Sequence, residues 1–223
     1  NLDNGTLNGS GGQMQAARLD LGAASLSNAG GTLAQSGNGQ TRIALTGAFD
    51  NSSGKLTTNG QDLSVSATSL TNAQGRIEHA GTGTATLSIG GAVANAGGHI
   101  LSQGQLQLGA NAGIDNQNGA IAAAGDATLT AASLSNVGGS VSARGLSTQL
   151  GGGALDNRNG LLQAAGGTLD VRAGSFDNRG GTLQSVASGG SGGDLRADIA
   201  HALNNDGGLI GASNDATVGA ENL

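Results

Sequence analysis

A six-position phrase recurs nine times along this chain: an apolar residue, any residue, Asn, two variable residues and Gly, with a further aliphatic two positions beyond the Gly. Its Asn stands at Asn28, Asn51, Asn72, Asn95, Asn116, Asn136, Asn157, Asn178 and Asn205. The Gly three positions on is Gly31, Gly54, Gly75, Gly98, Gly119, Gly139, Gly160, Gly181 and Gly208. Two before each Asn the chain places Leu, Ile, Val or Phe, and five after it Leu, Ile or Val. Successive Asn are separated by 23, 21, 23, 21, 20, 21, 21 and 27 residues. A period near 21 is that of a solenoid, in which each repeat buries its apolar face only against its neighbours.

The segment from Asn116 to Asn136 shows what one repeat is built from. Ile121 and Ala123 alternate with Ala120 and Ala122; Gly125-Asp126 intervenes; Ala127, Leu129 and Ala131 then alternate with Thr128 and Thr130. Period-two alternation marks two short strands, and Leu134-Ser135-Asn136 a third stub with Leu134 and Asn136 on one face. Asn at position i with Gly at i+3 fits a type I turn in which Asn caps its own backbone and Gly leaves with positive φ. Three strands per turn close a coil, and stacked coils pair each strand in parallel with its equivalents. Parallel crossover connections are overwhelmingly right-handed. The expected fold is therefore all-β: a right-handed parallel β-helix with coils of about 20–23 residues.

Composition agrees with a narrow lumen. The chain of 223 residues holds 44 Gly, no Pro, Trp, Tyr or Cys and two Phe, with a formal net charge of −6. Phe49 and Phe176 share the column of Leu26 and Leu134 and are expected to fill space there. So low a content of large apolar residues also suits a disordered chain, but disorder gives no reason to keep aliphatics in phase through nine copies. Residues 184–194, containing Ser188-Gly189-Gly190-Ser191-Gly192-Gly193, account for the longest interval and read as a surface bulge. The whole of 1–223 reads as one β-helical segment. It begins with Leu2-Asp3-Asn4 and ends at Leu223, both inside the repeat, so an internal fragment of a longer protein is expected. The opening is irregular: Leu7 follows Asn4 where Gly is due, while Gly9, Gly12 and Met14 fit in a shifted register.

Little in the sequence carries chemistry. His79, His99 and His201 lack metal-ligand spacing and read as solvated surface residues. No Gly-x-Ser-x-Gly elbow occurs, and no Ser has His and a carboxylate in matching columns. Gly189-Gly190-Ser191-Gly192-Gly193-Asp194 approaches a calcium nonapeptide, but it is a single copy with Arg196 where an apolar residue belongs. Asp156 should stack over Asp177 with Arg158 over Arg179, a ladder that neutralises itself. The expectations are no enzyme activity, no cofactor and no metal. An acidic chain with nine Lys and Arg and no aromatic residues interleaved among them is a poor nucleic-acid binder, and no amphipathic helix is present for membrane insertion. The Asn columns admit two readings, a stacked ladder of amides or a set of separate turn caps. Asn4-Gly5-Thr6, Asn8-Gly9-Ser10 and Asn51-Ser52-Ser53 are sequons.

The run Leu155-Asp156-Asn157-Arg158-Asn159-Gly160-Leu161-Leu162-Gln163-Ala164-Ala165-Gly166, continued by Phe176-Asp177-Asn178-Arg179-Gly180-Gly181-Thr182-Leu183, resembles the filamentous haemagglutinin repeats. These occur in large two-partner-secreted exoproteins of Gram-negative bacteria, among them haemagglutinin adhesins and contact-dependent growth inhibition effectors. The resemblance covers residues 26–210 and implies a secreted or cell-surface β-helical stalk exported through a partner outer-membrane β-barrel. It leaves two roles open: a spacer that projects an adhesive or toxin-delivering domain, or a module that itself binds a host or bacterial surface receptor or glycan through its outward Thr, Ser, Asn and Gln rows. Functional amyloid shares the repeat length but should form fibres.

Overall fold

The computed structural model describes residues 2–190 and 192–222. Those residues form strands joined by turns, with no helix. Ten short strands, from Gln13–Ala16 to Leu209–Ala212, pair in parallel as one sheet, one strand from each of ten coils. We number the coils 1 to 10 by these strands. In the central coils a longer strand and a stub make the other two sides, as Gln105–Ala110 and Gly113–Asp115 do in coil 5. In coils 1 and 9 those two sides run together as Asp20–Ser27 and Leu195–Asn204, which unites them in an 18-stranded sheet. The fold is an all-β parallel β-helix. At an inter-strand spacing of about 4.8 Å, ten coils rise about 45 Å.

Alternation decides which side chains enter the lumen. In Ala127–Thr130, Ala127 and Leu129 are buried and Thr128 and Thr130 exposed. Equivalent inward residues stack coil on coil: Leu33, Leu56, Ile77, Ile100, Ile121 and Val141 form one buried file. Ile43, Val65, Leu87, Leu108 and Leu129 form another. Phe49 lies between Leu26 and Leu70, and Phe176 between Leu155 and Leu203, all buried, so both rings are space-fillers. The irregular opening follows the shifted register: Leu7 pairs with Leu26, Met14 with Leu33, and the Gly12 N–H donates to the Gly9 carbonyl at 2.9 Å. Of residues 184–194, the first three continue the strand Thr182–Val186, and the described residues of the excursion are 187–190 and 192–194.

The corner differs from the type I turn expected. The Gly N–H donates to the Asn carbonyl at 2.9–3.0 Å, but the residue with positive φ is the one before that Gly, at +51° to +63° in all nine copies. Positive φ at i+2 alone is the mark of a type II turn. Gly fills that position at Gly30, Gly97, Gly138, Gly180 and Gly207, and Asn at Asn118 and Asn159, while Ser53 and Gln74 tolerate it. The constant Gly at i+3 is constant for another reason. A Cβ there would lie 2.0–2.4 Å from the carbonyl oxygen of the corner residue one coil below. Nor does the corner Asn cap its own turn: where Asp or Asn precedes it, that residue does, as when Asp50 Oδ1 accepts the Ser52 N–H at 2.9 Å and Asp115 Oδ1 the Gln117 N–H at 3.0 Å.

Because backbone blocks the added methyl, Gly139→Ala should destabilise by about 1–3 kcal/mol. Gly219→Ala, where a Cβ would meet nothing within 4 Å, should be near neutral. Urea denaturation followed by far-ultraviolet circular dichroism checks this; equal effects at the two sites would contradict the close-approach explanation.

Candidate functional site

The side chains that unite the coils are the corner asparagines. Leu and Asn at positions i and i+2 of the stub strand share a face, so the stub that buries its Leu must also bury its Asn. Asn28, Asn51, Asn72, Asn95, Asn116, Asn136, Asn157 and Asn178 are each at most 1% exposed, and Asn205 is half-buried at the last corner. Each Nδ2 donates to the Oδ1 of the next Asn, at 2.7 Å from Asn28 through to Asn178 and at 2.6 Å onto Asn205. The second Nδ2 hydrogen faces backbone: the Gly carbonyl of its own turn, and a carbonyl of the next coil such as Lys55 O, 3.2 Å from Asn28. The amides therefore form a head-to-tail ladder along the rod. Its first acceptor, Asn28 Oδ1, has no partner, because Gly9 occupies the ladder position in coil 1.

A second polar file lies at the next corner, at Asn+7, and was not singled out in the sequence. It comprises Gln35, Thr58, His79 and Ser102 on consecutive coils, with Ser185 further along, all buried. The signal was available: Asn+7 has the same parity as the inward aliphatic at Asn+5. These groups satisfy the corner's backbone. Gln35 accepts the Leu19 N–H at 2.7 Å and donates to Gly39 O at 2.6 Å, and Thr58 Oγ1 accepts the Gly60 N–H at 3.0 Å.

His79 is thus not the solvated residue expected, being 2% exposed. Its Nε2 lies 3.0 and 3.2 Å from the Gly60 and Gln61 carbonyls, so that nitrogen carries a proton and donates; Nδ1 lies 3.0 Å from Ser102 Oγ. A His and a Ser therefore share a column, but no carboxylate joins them. Backbone carbonyls rather than a carboxylate orient the ring, and the Ser102 hydroxyl also accepts the Gly104 N–H and donates to Gln105 O. That hydroxyl closes a corner. His99 and His201 are exposed, as expected.

The charged residues on the outside pair locally. Asp156 stacks on Asp177, and Arg158 and Arg179 each chelate the Asp two positions before, at 2.7 and 2.6 Å. These guanidinium hydrogen bonds hold both carboxyls below the usual range. Asp194, the carboxylate of the glycine-rich stretch, takes the Asn214 amide at 2.6 Å and the Asp215 N–H at 3.3 Å. Asn51 of the third sequon is inside the ladder, whereas the Asn8 amide oxygen caps Ser10 on the surface; the Asn4 side chain lies outside the described residues.

A continuous buried amide ladder in a parallel β-helix defines a structural repeat protein. The Haemagglutinin repeat family matches residues 1–53, 54–111, 101–191 and 164–223, which together span the chain. The chain belongs to that family, whose repeats are structural rather than catalytic and typical of secreted or surface exoproteins. No curated protein and no solved structure matches it.

A turn cap accepts Asp as readily as Asn, but a ladder rung must also donate. Asn136→Asp would set a carboxylate oxygen against Asn157 Oδ1 and should cost about 3–5 kcal/mol at neutral pH. Burial raises the folded-state pKa of that Asp above its unfolded value, so the cost should shrink as pH falls through the folded value and a carboxyl O–H restores the donor. Denaturant midpoints measured across pH test this, and an Asp variant as stable as the parent at pH 7 would contradict it. Conversely, Gly9→Asn should extend the ladder onto Asn28 Oδ1 and stabilise by about 1 kcal/mol, since a Cβ at Gly9 meets nothing closer than Ser27 O at 3.5 Å.

Proposed function

We propose that this chain is a rigid stalk segment of a secreted or cell-surface haemagglutinin-like exoprotein of a Gram-negative bacterium, exported through a partner outer-membrane β-barrel. It holds an adhesive or toxin-delivering domain away from the cell. The observation that carries this reading is the unbroken amide ladder from Asn28 to Asn205 with its flanking apolar files, which makes the coils it joins mechanically equivalent to their neighbours. A chain whose inner positions are all used for stacking, and whose surface charges are largely paired on site, is suited to transmitting length and stiffness. The role is mechanical, and no catalytic step is assigned to it.

A spacer tolerates the loss of a whole coil. Deleting residues 137–157 joins Asn136 to Arg158-Asn159-Gly160 and keeps a complete corner, so the chain should fold and be shorter by about 4.8 Å in solution scattering. Deleting only 147–157 leaves strands without partners and should cause aggregation. In the exoprotein, the whole-coil deletion should leave cell attachment or delivery nearly unchanged. Loss of attachment with export and folding intact would overturn the stalk reading.

A further inference from the structure

The outer face of the ten-stranded sheet is divided along the rod. Coils 6 to 9 present Ala120, Ser140, Leu161 and Thr182 in one outward file, with no charge. In the same file coils 3, 4 and 5 present Lys55, Arg76 and His99, three basic side chains stacked at the coil spacing of about 4.8 Å. Like groups directly opposite one another in a sheet repel, and nothing in the folding of these coils requires them. Elsewhere an Arg carries its own carboxylate: Arg144 has Asp126, Arg158 Asp156, Arg172 Asp170, Arg179 Asp177 and Arg196 Asp198. Arg18 and Arg42 share Asp20, without a third basic side chain stacked on them. Here a single carboxylate, Glu78, serves two cations, hydrogen-bonded by Arg76 and 3.8 Å from Lys55 Nζ, with His99 stacked beyond.

Beside this file lies a cleft of about 330 Å³ lined by Thr57, Asn59, Arg76, Glu78, Leu101 and Gln103, among others. Hydroxyl and amide groups thus stand next to a surplus of positive charge on a chain whose net charge is −6. Two cationic heads about 5 Å apart can hold one carboxylate between them, Arg by a forked pair of bonds and Lys as a point charge. The neutral hydroxyl and amide groups of the cleft pair with donors and acceptors, both of which sugar hydroxyls supply. A phosphate dianion would bring a second full charge against Glu78 without supplying such donors.

We propose that Lys55, Arg76 and His99, with Glu78 and the adjoining cleft, form a binding site for a carboxylate-bearing saccharide. The acid group lies across the basic file in competition with Glu78, and the ring hydroxyls reach Asn59 and Gln103. The site adds a specific contact to the stalk and does not depend on the stalk reading. Deletion of residues 137–157 leaves coils 3 to 5 intact, so the two proposals fail separately.

Isothermal titration of the full chain with oligogalacturonate, which carries a carboxylate on every ring, tests it against neutral maltodextrin of equal length and against polyphosphate. Saturable binding of oligogalacturonate alone is expected. Lys55→Gln with Arg76→Gln should weaken it by about tenfold or more, and Glu78→Gln, which removes the competing carboxylate, should strengthen it. Arg158→Gln with Arg179→Gln should leave it unchanged. Equal binding of maltodextrin, tighter binding of polyphosphate, no saturable binding of oligogalacturonate, or an equal loss in the Arg158 and Arg179 variant would overturn the proposal. The Glu78→Gln gain keeps the test decisive if the double variant folds poorly.

Discussion

Burying a carboxamide in an apolar lumen costs free energy unless each of its hydrogens and its oxygen finds a partner, and along the corner ladder the next copy of the same group takes one hydrogen while backbone carbonyls face the other. That requirement fixes the register. An Asn displaced by one residue along its strand would leave two neighbours unsatisfied and turn a whole apolar file outward. Because the rungs run in one direction, each polarises the next, and the file acts as a unit rather than as separate bonds. The corner Gly, the left-handed residue before it and the flanking aliphatics are consequences. They bring the amides to one coil spacing and keep water from them.

The architecture was legible because a solenoid writes its register into its period. Leu134 and Asn136 share a face by parity alone, and nine repetitions exclude coincidence. The turn type was less legible. A lone Asn-x-x-Gly fits type I or type II, and Ser53 and Gln74 obscure the left-handed position that Gly180 or Asn159 reveals. The reason for the constant Gly was not legible in one repeat at all, since it is the carbonyl one coil away that excludes a side chain. His79 reads as a surface residue by type alone. Parity with Ile77 puts it inside, where the corner supplies carbonyl partners. Ladder and cap are told apart only by geometry, and where a turn is capped the Asp or Asn before the corner does it, as Asp50 does.

The two polar files share the work of the rod unequally. The ladder at the first corner joins Asn28 to Asn205 without a break. At the second corner Gln35, Thr58, His79 and Ser102 give way to Ala123, Ala143 and Ala164, so the later coils rely on backbone pairing and small side chains there. Length and straightness are thereby encoded at one corner, leaving the outward positions free to vary. Uncharged small residues, local ion pairs and the stacked basic file of Lys55, Arg76 and His99 occupy the same scaffold without altering it.

The central claim is that the corner amides are bonded to one another inside the rod. Side-chain amide hydrogen exchange, read by nuclear magnetic resonance on labelled protein, tests it most directly. The Nδ2 hydrogens of Asn51, Asn72, Asn95, Asn116, Asn136 and Asn157 should exchange as slowly as core backbone amides, while those of exposed Asn111 and Asn159 exchange at the rate of free amides. Ladder amides that exchange as fast as Asn111 and Asn159 would contradict it.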